Sequence, residues 1–212
     1  MGLILPSRDG NPLPALQVLS GVTLALFAVN AHAHVETGVA GGLISGLIHP
    51  VTGLDHLIAM VAVGIWGAQL GRPAIWVLPI TFPMIMAFGG LLGLSGLPIA
   101  AALVEIGIAL SALTLGVLVA LQMRIPLWCA AIIVGLFGLC HGHAHGAELP
   151  SAANALAYGA GFVTATGLLH LCGILLGELN RFNTGVKFLQ ALGVIIAVLG
   201  FAFLVTHVTE LL

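Results

Sequence analysis

Three features of the sequence predict an all-α membrane protein with six transmembrane segments after an N-terminal signal peptide. Charge is nearly absent: of 212 residues, 60% are hydrophobic and 6% are Asp, Glu, Lys or Arg, against roughly a quarter charged in a soluble domain. The apolar stretches are long and Gly-rich, so lipid is the expected solvent and spans of about 20 residues are the unit to count. Single charges or prolines punctuate them. One compact helical bundle over residues 34–212 is expected, with no second domain.

The first 33 residues have the form of a secretory signal. Arg8 stands in a polar n-region, an apolar run extends from Leu16 to Val29, and Ala31-His32-Ala33 has the A-x-A form of a cleavage site. Cleavage after Ala33 leaves His34 as the new terminus. Cleavage after Ala31 leaves His32-Ala33-His34, whose terminal amine, backbone nitrogens and third-position imidazole suit a square-planar Ni²⁺ or Cu²⁺ chelate. An uncleaved first helix with two incidental histidines is the alternative.

Apolar segments follow at about 37–70, 74–94, 99–121, 127–146, 155–178 and 188–208. They are separated by Arg72-Pro73, Gly96 to Pro98, Arg124 to Pro126, Glu148 to Pro150 and the stretch from Asn180 to Lys187. The first is too long for one crossing: as a helix it would extend ~51 Å, against a hydrocarbon core of ~30 Å. The break is expected at His49-Pro50, within the stretch His49-Pro50-Val51-Thr52-Gly53, because Pro50 has no amide hydrogen and fits only the first turn of a helix. Non-helical backbone at membrane depth survives where protein or water covers it, and such breaks often line ion sites.

With residue 36 outside, alternate crossing puts Arg72, Arg124, Arg181 and Lys187 on the cytoplasmic side, and Glu36, Glu148 and Glu210 outside. That satisfies the positive-inside rule. It predicts a multi-pass protein of the bacterial cytoplasmic membrane with both termini of the mature chain extracytoplasmic. Trp66, Trp76 and Trp128 read as interfacial anchors, and Met60, Met84 and Met86 as packing.

Composition also excludes. A net charge of −2 and the absence of any basic run leave nothing to neutralise a track of phosphates, so nucleic acid is no partner. Cys129, Cys140 and Cys172 form no C-x-x-C pair, which argues against a disulfide framework or a structural zinc site. No nucleotide-binding motif is present to drive transport.

An ionisable side chain within a span costs roughly 2.5–3.5 kcal/mol on insertion scales, so each one is a functional candidate. Two clusters stand out. In His49-Pro-Val-Thr-Gly-Leu-Asp55-His56, His49 lies just before the break, and Asp55 and His56 lie in the first turn after it. Two imidazoles and a carboxylate suit Ni²⁺, Co²⁺ or Zn²⁺ better than Mg²⁺ or Ca²⁺. The bland alternative is that His49 caps a helix and Asp55 merely fixes a histidine tautomer. The second cluster is Cys140-His141-Gly142-His143-Ala144-His145-Gly146-Ala147-Glu148. There His141 and His145 are i and i+4 on one helix face while His143 points away. Two imidazoles could grip one ion, with His143 or Glu148 passing it inward; a solvated His-rich loop is the alternative.

Under the derived topology both clusters, and His207, lie in the extracytoplasmic half. Gly-Leu-x-His occurs three times, ending at His49, His141 and His170. In a helix the glycine would let a neighbouring backbone approach beside each imidazole. Glu105 has no cation near it in sequence and should face the bundle interior, to balance metal charge, accept a proton or make one interhelical hydrogen bond. His170, alone in mid-span, reads as a bundle histidine before a ligand.

At these residues the chain resembles the HupE/UreJ family of hydrogenase and urease accessory proteins. The family pattern H-P-x-x-G-x-D-H is met by His49, Pro50, Gly53, Asp55 and His56, followed by Ala59-Met60, Val63-Gly64 and Trp66. Its H-G-H-A-H-G-x-E stretch is met from His141 to Glu148. The H-x5-D-H element is also similar to the H-x4-D-H element of nickel/cobalt transporters. The resemblance implies a nickel permease, or a cobalt permease, with a cleavable signal and about six spans, supplying hydrogenase or urease maturation. By position it marks His49, Asp55, His56, His141, His143, His145 and Glu148 as metal-handling residues; the residue-by-residue reading adds Glu105, His170 and His34 as secondary candidates.

The expectation is therefore a secondary transporter and not an enzyme. It would bind no permanent cofactor, carry Ni²⁺ or alternatively Co²⁺ or Zn²⁺, and have the lipid bilayer as its other partner, with a homo-oligomer left open. A membrane metal sensor or storage protein would have the same ligands. An intramembrane serine protease using Ser95 and His170 is the rival from another class.

Overall fold

The computed structural model describes residues 38–149 and 154–211. The expected signal peptide, His34 and Glu36 lie outside the described residues.

The described chain is helical throughout: α1 (Gly38–Thr52), α2 (Leu54–Leu70), α3 (Ala74–Leu94), α4 (Ala101–Ala120), α5 (Leu127–Ala147), α6 (Ala155–Gly177), a 3-10 turn (Glu178–Arg181) and α7 (Asn183–Thr209). Five of these elements are long and apolar enough to cross a membrane, and α1 with α2 makes a sixth span bent by 78°. At ~1.5 Å per residue α1 is only ~22 Å long and cannot cross a ~30 Å core alone.

The bend falls at Gly53, three residues past Pro50, not at His49-Pro50 itself. Pro50 occupies the last turn of α1. There its missing amide costs one ladder bond, to the Gly46 carbonyl, and little helix remains to be disturbed. The Gly53 amide still donates to the His49 carbonyl and the Thr52 hydroxyl turns back onto α1, so α1 closes before the chain turns. Gly53 is extended (φ −78°, ψ 107°) and its carbonyl accepts from Leu57 to open α2. Asp55 accepts from the His56 amide at 2.9 Å, satisfying one of the free donors of the first turn of α2.

α2 is the axis of the bundle. Ala59, Met60, Ala62, Val63, Ile65 and Trp66 are wholly buried, and α2 packs on α3, α4 and α6. Trp66 is therefore no interfacial anchor: its indole donates to the Met123 carbonyl at 3.0 Å. Trp76 and Trp128 are exposed, as that role requires. Met60 and Met86 do pack inside, but Met84 faces outward. Around α2, α3 runs along α5, α4 along α7, and α1 and α6 pair closely. The outer faces carry large aliphatic side chains, such as Ile195, Val198 and Phe201 on α7, which in water would form an untenable apolar surface.

Glycine sets the seam between α3 and α5. Gly138, Gly142 and Gly146, at four-residue spacing on α5, face backbone of α3, and a Cβ on any of them would run into the carbonyl of Phe82, Met86 or Gly90. Dispersion and close backbone contact, not hydrophobic transfer, hold such a seam in lipid. Of the three Gly-Leu-x-His glycines, Gly46 and Gly138 are closely approached by a neighbouring backbone, whereas Gly167 has open space. α7 begins at Asn183, earlier than the hydropathy break suggested, so Lys187 sits in its second turn.

Candidate metal site

The seam of α3 and α5 fixes one face of α5, and the two histidines that precede Gly142 and Gly146 turn toward the α1–α2 break. There four imidazoles gather from three helices. The ring centres of His56 and His141 are 4.5 Å apart, those of His56 and His145 4.5 Å, and those of His49 and His145 4.7 Å. His49 and His56 are 6.3 Å apart across the break. His56, His141 and His145 are buried, and His49 is half-buried. The rings meet edge to face without closing a cage: no three His, Cys, Asp or Glu side chains among the described residues stand at metal-holding geometry.

Hydrogen bonds fix which nitrogens are bare. Asp55 Oδ1 lies 2.9 Å from His56 Nδ1. A carboxylate accepts, so Nδ1 carries the hydrogen and Nε2 keeps its lone pair. His56 Nε2 is buried and has no partner among the described residues. On the other side, the Ser111 hydroxyl donates to the Ile108 carbonyl at 2.6 Å. Its only hydrogen is thus committed, and it must accept from His141 Nε2 at 2.9 Å. His141 is held in the opposite tautomer, with buried, unpartnered Nδ1 as its donor atom. His145 has no partner for either ring nitrogen among the described residues. Buried polar atoms are normally satisfied, so four unpartnered nitrogens in one small volume call for an explanation.

The surroundings are apolar. Phe162 stands 4.1 Å from His145, Phe82 5.4 Å from His141 and Tyr158 6.2 Å from His49, centre to centre. A crevice of about 430 Å³ between α3, α5 and α6 opens beside His145.

The remaining candidates divide. His143 does point away: it is buried against the α3–α4 connection, with Nε2 3.4 Å from the Leu97 carbonyl. Glu148 is the exposed residue that ends α5, one turn beyond the histidines. Glu105 is half-buried and has a partner that its sequence neighbourhood lacks, the imidazole of His207 of α7, at 3.8 Å; His207 also lies 3.5 Å from Glu210. His170 stands apart, bonded through Nδ1 to the Pro79 carbonyl at 3.2 Å. Ser95 ends α3 and donates to the Leu92 carbonyl. Pro79, and with it His170, is ~24 Å from Ser95 along α3, so the two form no catalytic dyad. The three cysteines are free.

Sequence reasoning did not find Ser111, Phe82 or Phe162. Ser111 offers a weak signal as a hydroxyl amid the aliphatic middle of α4; the two phenylalanines offer none.

Comparison with known proteins agrees with the motifs. No solved structure matches the chain. It is 47% identical to Protein HupE of Rhizobium leguminosarum bv. viciae over 184 residues, covering 86% of this chain and 95% of that one. The family model described as HupE / UreJ protein matches residues 22–203. With its apolar helices, buried histidines and these matches, the chain is a multi-pass membrane protein that belongs to the HupE/UreJ family.

Proposed function

We infer that this protein is a permease that takes up a divalent transition metal, nickel first, across the bacterial cytoplasmic membrane for hydrogenase or urease maturation. One observation carries the reading: His49, His56, His141 and His145, from motifs some ninety residues apart, gather around a broken span in an otherwise apolar bundle.

The ligand chemistry supports a borderline metal. Neutral imidazole is the donor offered at every corner, and it favours Ni²⁺, Co²⁺ and Zn²⁺ over the oxygen-seeking Mg²⁺ and Ca²⁺. Asp55 and Ser111 serve the metal indirectly, by orienting His56 and His141, a role outer-shell partners commonly have. Asp55 also supplies a negative charge beside the cation. An open group of four rings suits conduction, which requires binding strong enough to admit an ion and weak enough to release it.

Direction follows from charge. Arg72, Arg181, Arg124 and Lys187 border cavities at the bundle end opposite the histidines, and the positive-inside rule assigns that end to the cytoplasm. Metal enters past Glu148, Glu105 and His207, is taken by the four imidazoles and leaves toward the arginines.

The test is uptake of radioactive nickel by cells expressing wild type, His49→Ala, His56→Ala, His141→Ala and His145→Ala at matched membrane levels, with Co²⁺, Zn²⁺ and Cu²⁺ as competitors. Each variant is expected to lose uptake by at least about tenfold, in line with the loss of a metal ligand or its support. Undiminished accumulation in all four would refute the site.

A further inference from the structure

His170 lies deeper than the four-imidazole group, and its two nitrogens have separate fates. Pro79 and Pro83 are four residues apart in α3, so the Pro79 carbonyl has lost the amide that would normally bond it. His170 Nδ1 fills that vacancy at 3.2 Å. A carbonyl only accepts, so Nδ1 carries the hydrogen and Nε2 has the bare lone pair. Nε2 is buried, in a residue 1% exposed, and has no partner among the described residues. The bond to Pro79 explains why a polar ring is tolerated here; it does not explain a second, unsatisfied nitrogen.

One ring links it to the outer group. Phe82 packs 5.4 Å from His141 and 5.4 Å from His170, centre to centre. His170 is therefore one aromatic ring away from the outer group. One turn further toward the arginine end, Ile75 follows Pro79 and Ile174 follows His170. Both line a half-open cavity of about 570 Å³ that also holds Arg72, Glu178 and Arg181. Outer imidazoles, a ring, a lone imidazole and a cavity thus succeed one another along α3 and α6.

The geometry points to His170 Nε2 as an inner station for the transported ion, a single imidazole that receives a divalent metal such as Ni²⁺ from the outer group and passes it to the cavity below. This rests on the transport reading above. The station holds the ion by one nitrogen, with water from the cavity completing its shell. It is a weak stop, as the last site before release should be.

Asparagine separates the two roles of this ring. Its amide nitrogen takes the place of Nδ1 and can still donate to the Pro79 carbonyl, but it has nothing at the position of Nε2. The experiment compares wild type, His170→Asn and His170→Ala in two assays: equilibrium Ni²⁺ binding to purified protein, and Ni²⁺ entry into proteoliposomes containing a metal-sensitive dye. An inner station predicts that both variants bind Ni²⁺ as wild type does, through the outer group, while entry falls by about tenfold or more in both. Entry at the wild-type rate in His170→Asn overturns the proposal and leaves His170 as a tie for the proline carbonyl. Loss of equilibrium binding in His170→Asn overturns it too, since an inner stop leaves the outer group intact. A wild type that neither binds nor admits Ni²⁺ removes the transport reading itself, an outcome distinct from normal transport by the asparagine variant.

Discussion

Ser111 and Asp55 determine what the neighbouring imidazoles can do. Ser111 commits its hydrogen to Ile108 and so compels His141 to present Nδ1. Removing the hydroxyl in Ser111→Ala should free the ring and weaken Ni²⁺ binding by about 10–100-fold, the usual cost of losing an outer-shell partner. Ser111→Thr should recover much of it, and titration calorimetry with nitrogen NMR of the histidines would read both affinity and tautomer. An unchanged His141 tautomer in Ser111→Ala would contradict this account. Gly53 is the second sensitive residue: a Cβ there would stand 3.2 Å from Asp55 Oδ1 and 3.4 Å from His56 Nδ1. Gly53→Ala is expected to lower uptake several-fold without loss of fold, as measured by uptake and circular dichroism in parallel. Acid should slow transport, because a protonated imidazole has no lone pair for a metal. Uptake at matched membrane potential should decline as the external medium is acidified.

At the scale of elements, the decisive object is the seam of α3 and α5, which aims His141 and His145 at the break. Gly142→Val would drive a side chain into the Met86 carbonyl. It should destabilise the detergent-solubilised protein by several kcal/mol, as overpacking against backbone does, and abolish the site. Gly159→Ala, where no atom lies within 4 Å of the added carbon, is the control and should leave the melting temperature nearly unchanged. The helices were legible in the sequence because charges and prolines punctuate them, and so was the shared face of His141 and His145, which needs only the period of a helix. The exact bend was not. Pro50 marks a weak ladder, but the chain turns where Gly53 allows an extended backbone, and only the packing of α1 on α6 fixes that choice. Nor was the meeting of the two motifs legible, since it depends on α5 being registered against α3 by glycines in a different part of the chain. The same holds for Glu105 with His207, for His170 with a carbonyl orphaned by Pro83, and for the burial of Trp66, whose indole finds its acceptor 57 residues away.

For the whole molecule, the account assigns opposite ends opposite chemistry: acidic residues and histidines at the mouth, arginines at the exit. A cysteine placed at Glu148 should react with a membrane-impermeant maleimide added outside intact spheroplasts, and one placed at Arg124 should react only after permeabilisation. The reverse pattern would invert the direction of transport. The central claim is that the gathered imidazoles carry the metal across, and His145 isolates it best, because neither of its ring nitrogens has a hydrogen bond to lose among the described residues. The most direct measurement is Ni²⁺ entry into proteoliposomes containing wild type or His145→Ala, against protein-free vesicles. The account predicts entry with wild type and near-background entry with His145→Ala. Wild-type rates in the variant, or background rates in the wild type, would contradict it.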